Sequence, residues 1–304
     1  MNQFIVDATG NGDFTTVQAA IDAAPEHSTK KITIQIKKGT YTERIVIPEH
    51  KPNIHLIGED REETVLVYHN TANMRGPDGE KLRISGSAST YVYADDFSAK
   101  QITFANSAGL TAGQAVALYA GGDRLVFQEC NILGHQDTLF TPSNGRQYYK
   151  DCYIAGTVDF ICGSAICLFE NCELFSIDRH NGYVAAPATA EELPYGYVFL
   201  NCRLTGSTAK HTVTLARPWQ PYGQAHFVNC WMGEHIRPAG WDNWRDPEKE
   251  KTATFAEYRS SGPGATPDER LSWAKQLTQE EAAKLTVPEV LSGADGWDPI
   301  AMIS

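Results

Sequence analysis

No apolar run in this 304-residue chain approaches the ~20 residues that a membrane-crossing helix needs. Nothing after Met1 has the charged-then-apolar order of a secretory leader. The sequence as it stands therefore reads as cytoplasmic, and a secreted, extracellular protein already trimmed of its leader would read the same. Positive charge is scarce: 37 acidic residues face 26 basic ones, a formal net charge of −11. That deficit argues against nucleic acid or an anionic membrane as partner. It would also repel a densely anionic polymer, so a polymer with masked charges is easier to accommodate. The seven cysteines form no C-x-x-C pair, which leaves a zinc site without its usual ligands. No linker or low-complexity tract divides the chain. With 42% hydrophobic and 21% charged residues it has the composition of a folded protein, not a disordered one. We read residues 1–304 as one domain and as a monomer.

What the chain does have is a repeat. Five cysteines sit in one local pattern: "FQECNI", "YKDCYI", "FENCEL", "FLNCRL" and "FVNCWM". "FANSAG" (104–109) reads as a sixth copy, with Ser107 in the cysteine position. The steps from Ser107 to Cys130, Cys152, Cys172, Cys202 and Cys230 are 23, 22, 20, 30 and 28 residues. A period of that length signals a solenoid. The leucine-rich pattern is absent, and strand-like pieces such as "ICLFENC" and "YVFLNC" dominate, so the expectation is an all-β parallel β-helix. The aromatic and the cysteine of each copy are an odd distance apart, and a straight strand would send them to opposite faces. A bend between them brings both inward, and the intervening Asn or Asp suits one because it tolerates left-handed backbone. The cysteines read as small core residues. Stacked coils also come close enough for a Cys152–Cys172 disulfide, a choice that distance alone leaves open.

The ends differ from the middle. "DFTTVQAAIDAAP" (13–25) has helical spacing of Val17, Ala20, Ile21 and Ala24, with Pro25 after it. It predicts a helix capping the open end of the solenoid. "TQEEAAKL" (278–285) reads as a second helix beyond the last copy, and "SSGPGATPDE" (260–269) as loop.

The copies place three polar residues in one register. Gln114 lies seven residues after Ser107, Asp137 seven after Cys130, and Asp159 seven after Cys152. On stacked coils they would form a column with neighbours ~5 Å apart. Two carboxylates at that distance titrate as a pair, one pushed up and one down. Such a pair suits combined acid–base and nucleophilic work. Arg217, in "LARPWQ", is a candidate to hold one of them ionised.

At these residues the sequence resembles the pectin methylesterase (pectinesterase) family. The likeness runs from "GNGDFTTVQAAIDAAP" and "IKKGTYTERIVI" through "GHQDTLF", "YIAGTVDFICGSA" and "LARPWQPYG" to "FAEYRSSGPGA". It implies a right-handed parallel β-helix and hydrolysis of methyl esters on the galacturonate residues of pectin, with no metal and no cofactor. By that resemblance Asp159 is the nucleophile, Asp137 the general acid and then base, and Gln114 and Gln136 the oxyanion donors. Arg217 holds Asp159. Trp219, Phe160, and one or both of Trp241 and Trp244 stack on sugar rings, and His135 packs or contacts sugar. Periodicity alone leaves Gln136 facing away from Asp137 unless the backbone bends. Phe160 reads equally well as core, and Trp241 or Trp244 as anchors of the C-terminal segment.

The chain departs from the usual family pattern at His135, at Cys162 after "VDFI", and at Ala216 before "RPW". These departures touch subsite shape and not the catalytic groups. Two other readings of the same residues stay open. A carboxylate pair ~5 Å apart also suits a retaining glycosidase, with a calcium-dependent lyase as a variant. A carbohydrate-binding solenoid without chemistry is the third.

Overall fold

A computed structural model describes residues 3–302. The chain winds through three parallel sheets of eleven, eight and seven strands, giving one strand to each sheet per coil. One coil shows the plan. Leu125–Gln128 enters the eleven-stranded sheet, Asn131–Leu133 the eight-stranded and Leu139–Thr141 the seven-stranded, before Arg146–Lys150 returns to the first. Successive coils pair in parallel and in register, as the sequence repeat predicts.

The aromatics of the five cysteine copies stack inside. Phe127, Tyr149, Phe169, Phe199 and Phe227 are direct partners on adjacent strands. Their ring centroids are 4.9, 4.7, 4.8 and 4.4 Å apart, with interplanar angles of 15° or less. The coil-to-coil spacing itself imposes this near-parallel stack. Neighbouring residues in the same strands point outward: Val126, Tyr148, Leu168 and Val198 form a second cluster on the outer face. Burial on both faces explains why these strands read as near-continuous apolar runs.

The bend expected before each cysteine is present. Glu129, Asp151, Asn171, Asn201 and Asn229 all adopt left-handed backbone, with φ between 52° and 54°. Each turns the chain from the eleven-stranded to the eight-stranded sheet, so that aromatic and cysteine both face the interior. The Asn229 side chain donates to that of Asn201 at 3.4 Å, linking two corners.

The sixth copy is misplaced by the sequence pattern. Phe127 pairs with Ala99, not with Phe104, and Phe104 pairs with Ile132 in the next sheet. The true equivalent of "FQEC" is Ala99–Ile102, with Gln101 at the corner (φ 55°) and Ile102 in the cysteine position. Alanine and isoleucine fill those interior places, so the aromatic-to-cysteine signal is missing there. The Cys152–Cys172 bridge does not form, and all seven cysteines are buried free thiols. Cys152 and Cys172 each donate to a carbonyl of the preceding coil, at Phe127 and Tyr149, at 3.4 Å.

Helix α1 (Val17–Ala23) covers the first coil with Val17, Ala20 and Ile21 buried. The Glu43 carboxylate accepts from the amides of Val17 and Gln18, at 2.8 and 3.0 Å, satisfying two open donors of the first turn. The short α2 (Arg83–Gly86) borders the outer face of the seven-stranded sheet through Ile84. The helix expected over 278–285 forms as one short helix, and a second short helix lies beyond it. Helix α3 (Gln279–Ala282) starts at a Thr278–Glu281 capping box, and α4 (Val287–Leu291) follows after one turn. Val287, Val290 and Leu291 lie on the outer cluster with Leu168 and Val198, so this segment clads the wall and does not plug the end. Over 260–269 the loop reading holds up to a single 3₁₀ turn, Pro267–Glu269.

The corners predict a sharp asymmetry in mutational cost. A β-branched residue at a left-handed position is strained by about 1–2 kcal/mol. Asn201→Val should therefore lower the thermal midpoint measurably, and Asn201→Gly should be near neutral. Equal midpoints for the two variants would contradict the corner's role.

Candidate active site

The seven-stranded sheet carries the site on its outer face. Phe140 pairs with Cys162 across adjacent coils, which sets Asp137 and Asp159, three residues ahead of each, side by side. The Asp137 amide donates to the Val158 carbonyl at 3.1 Å. Both aspartates have left-handed backbone, φ 61° and 51°. That bend resolves the question posed by alternation: Gln136 and Asp137, adjacent in sequence, line the same pocket. Gln114 pairs with Gln136 and not with Asp137, one residue from the expected register. The offset arises because Ser107 was the wrong anchor. The Gln114 amide still reaches Asp137 Oδ2 at 2.7 Å.

Arg217 grips Asp159 with both arms of its fork. Nε donates to Oδ1 at 2.9 Å and Nη2 to Oδ2 at 2.6 Å. The guanidinium is sandwiched between the rings of Tyr183 and Trp244, 3.8 Å from each centroid. Stacking fixes the plane of the fork, and the fork fixes the carboxylate. Tyr183 was not anticipated from sequence, since nothing around it marks a stacking partner. Trp244 lines the pocket, and its amide is held by Asp242 Oδ1 at 2.7 Å.

The two carboxyls are only 3% and 6% exposed, for Asp137 and Asp159 respectively. Burial, and then the Asp159 charge, pushes Asp137 up to about 8, against the smaller opposing pulls of Gln114 and Arg217. Burial also raises Asp159, but the Arg217 fork opposes it directly. The pair therefore shares one proton at neutral pH, held by Asp137, and Asp159 is the ionised member.

The pocket holds about 170 Å³ and is lined by both Gln, both Asp, Arg217, Trp219 and Trp244, with Cys162 and Ala186 as its apolar floor. Among the described residues no three His, Cys, Asp or Glu side chains converge as a metal would require.

Of the residues expected to contact sugar, Trp219 and Trp244 reach the pocket and three do not. Phe160 is fully buried in the interior core. The backbone turns inward immediately after the left-handed Asp159, and the chain faces outward again at Cys162. Trp241 is 3% exposed, packed 5.9 Å from Phe227 and 5.1 Å from Phe255. It anchors the C-terminal coil. His135 faces a neighbouring groove on the eight-stranded sheet with Asn106, Tyr153 and Phe175. Burial, and then Arg179, lowers its pKa, so the ring is neutral. Ala216 is buried in its strand and does not line the pocket.

A pectinesterase family model matches residues 3–294. Putative pectinesterase 11 of Arabidopsis thaliana is 38% identical over 297 residues, covering 97% of this chain and 80% of the relative. Among solved structures, pectin methylesterase from carrot superposes with a TM-score of 0.90 at 31% identity, over 99% of this chain and 96% of that one. A pectin methylesterase in complex with a hexasaccharide gives 0.87 at 33% identity, over 97% of both chains. A profile spanning the described coils, relatives of this identity and the same fold throughout converge on one assignment: the chain belongs to the pectinesterase family.

Proposed function

We propose that this pectinesterase removes methanol from methyl-esterified galacturonate residues through an acyl intermediate on Asp159. The observation that carries the reading is the split pair: a neutral Asp137 beside an ionised Asp159 clamped by Arg217. One carboxyl can then donate a proton while its neighbour attacks.

An oxygen of Asp159 adds to the ester carbonyl carbon, and the carbonyl electron pair moves onto its oxygen. The Gln114 and Gln136 amides donate to that oxyanion. Gln136 is half-buried and its side-chain amide has no hydrogen-bond partner among the described residues, so it has donors to spare. As the tetrahedral centre collapses, the C–O bond to methoxy breaks and Asp137 protonates the departing oxygen, giving methanol and an anhydride with Asp159. Asp137, now a carboxylate, takes a proton from water, which adds to the galacturonate carbonyl carbon and expels Asp159. Asp137 ends protonated and Asp159 returns to the Arg217 fork. With the family established, the glycosidase, lyase and binding-only readings fall away.

Methanol release from methylated pectin is the direct assay. Asp159→Ala and Asp137→Asn should each cost about 10⁴-fold or more in kcat, with little further loss when combined. Gln136→Leu, which removes one oxyanion donor, should cost about 10²–10³-fold. Retention of more than a tenth of wild-type activity by Asp159→Ala would remove the nucleophile from the scheme.

The pH profile tests the proton assignment. The active form carries its proton on Asp137 and none on Asp159. Activity should therefore rise on the acid side as Asp159 ionises and fall as pH passes about 8, where Asp137 loses its proton. A kcat/KM that stays flat well above pH 8 would show that Asp137 is not the acid.

A further inference from the structure

The two rings that flatten Arg217 are not held alike. Tyr183 belongs to the strand Gly182–Pro187 and is fixed by the sheet. Trp244 lies outside any strand, on a turn where it and Arg245 both take left-handed backbone, φ 59° and 58°. Two such residues in succession, neither of them glycine, are costly and persist only where the surroundings enforce them. Part of that support is local. Asp242 Oδ1 accepts from the Trp244 amide, the Asp246 amide donates to the Asn243 carbonyl at 3.1 Å, and the Asn243 side chain donates to Glu250 Oε1 at 2.7 Å. These bonds close the turn on itself.

Lys249 ties the turn to the clamp. It sits on the 3₁₀ turn Pro247–Lys251 that follows. Its ammonium donates to the carbonyls of Pro218 and Trp219, at 3.0 and 3.2 Å, the two residues directly after Arg217. Among the described residues those carbonyls have no other donor. The same nitrogen stands 5.5 Å from the centroid of the Trp244 ring, which itself lies 3.8 Å from the Arg217 guanidinium. Lys249 is half-buried and pairs with no carboxylate among the described residues. Its charge is directed instead at two carbonyls and a ring. It does not line the pocket, so its influence on the reaction passes through Trp244 and the segment that carries Arg217.

We propose that Lys249 is a positioning residue for the reaction: it pins the Trp244 turn to the segment after Arg217 and so holds the ring that sets the plane of the Arg217 fork on Asp159. The proposal rests on Asp159 being the ionised nucleophile. The charged groups facing Asp159 are Arg217, Asp137 and Asp242. A loosened fork stabilises the Asp159 carboxylate less, so Asp159 ionises at higher pH and the acid limb of the kcat/KM profile moves up.

The test follows methanol release across pH, well below each variant's thermal midpoint. Lys249→Met keeps the stem and removes the donors. Its kcat should fall about tenfold or more, with KM changing much less, and its acid limb should rise by about half a pH unit or more. Lys249→Arg, which brings back charge and donors, should restore both. Trp244→Leu separates positioning from a direct effect of the lysine charge on Asp159. In that background Lys249→Met should move the acid limb no further. A wild-type profile in Lys249→Met, no recovery in Lys249→Arg, or the same shift with and without the Trp244 ring would each overturn the proposal. Full activity of Asp159→Ala would instead sink the nucleophile reading, whereas an inactive Asp159→Ala beside an unaltered Lys249→Met would sink the positioning role alone.

Discussion

Every feature of this molecule depends on coils stacking in parallel without slippage. Inter-coil backbone hydrogen bonds set the rise, and the rise then decides what can stand above what. Inside, it puts five aromatic rings face to face. Outside, it puts two carboxyls on neighbouring strands. A slip of one residue would turn a strand's side chains to the other face, exchanging pocket for core. The corners guard against that slip, because each left-handed residue is costly anywhere except at its bend.

The same geometry that makes the site also strains it electrostatically. Two buried acids on consecutive coils cannot both be charged, and the fold resolves the conflict asymmetrically. Asp159 receives a bidentate cation whose plane is set by two aromatic rings, and Asp137 receives only a glutamine amide. The acid and the nucleophile are chemically the same side chain, distinguished by what faces each one. A lysine in place of Arg217 would lack both the planar fork and the stacking surface.

How much of this was legible in the sequence depended on what carried the signal. The repeat and its corners were plain, since an aromatic, then Asn, Asp or Glu just before a cysteine, recurs with little ambiguity. The pairing of Asp137 with Asp159 followed from it. The copy at Phe104 went astray because Ala99 and Ile102 do the same interior work without the distinctive residues. Gln114 was placed correctly only within one residue, from a wrong anchor. Phe160 and Trp241 stay ambiguous in the sequence for a common reason: an aromatic in a motif says nothing about which side of the wall it faces. Phe140 and Cys162 held that information, three residues after each aspartate, once the bend at the aspartate is counted. Tyr183 reaches Arg217 from a different strand and left no local trace.

The spacing between cysteines varies from 20 to 30 residues, yet Phe169 and Phe199, across the longest step, remain strict partners. The surplus is extruded into turns, such as residues 188–196 between the strands ending at Pro187 and beginning at Tyr197. Length is thus uncoupled from alignment. Such a scaffold can lengthen or trim its connecting loops while the reacting atoms keep their relative positions.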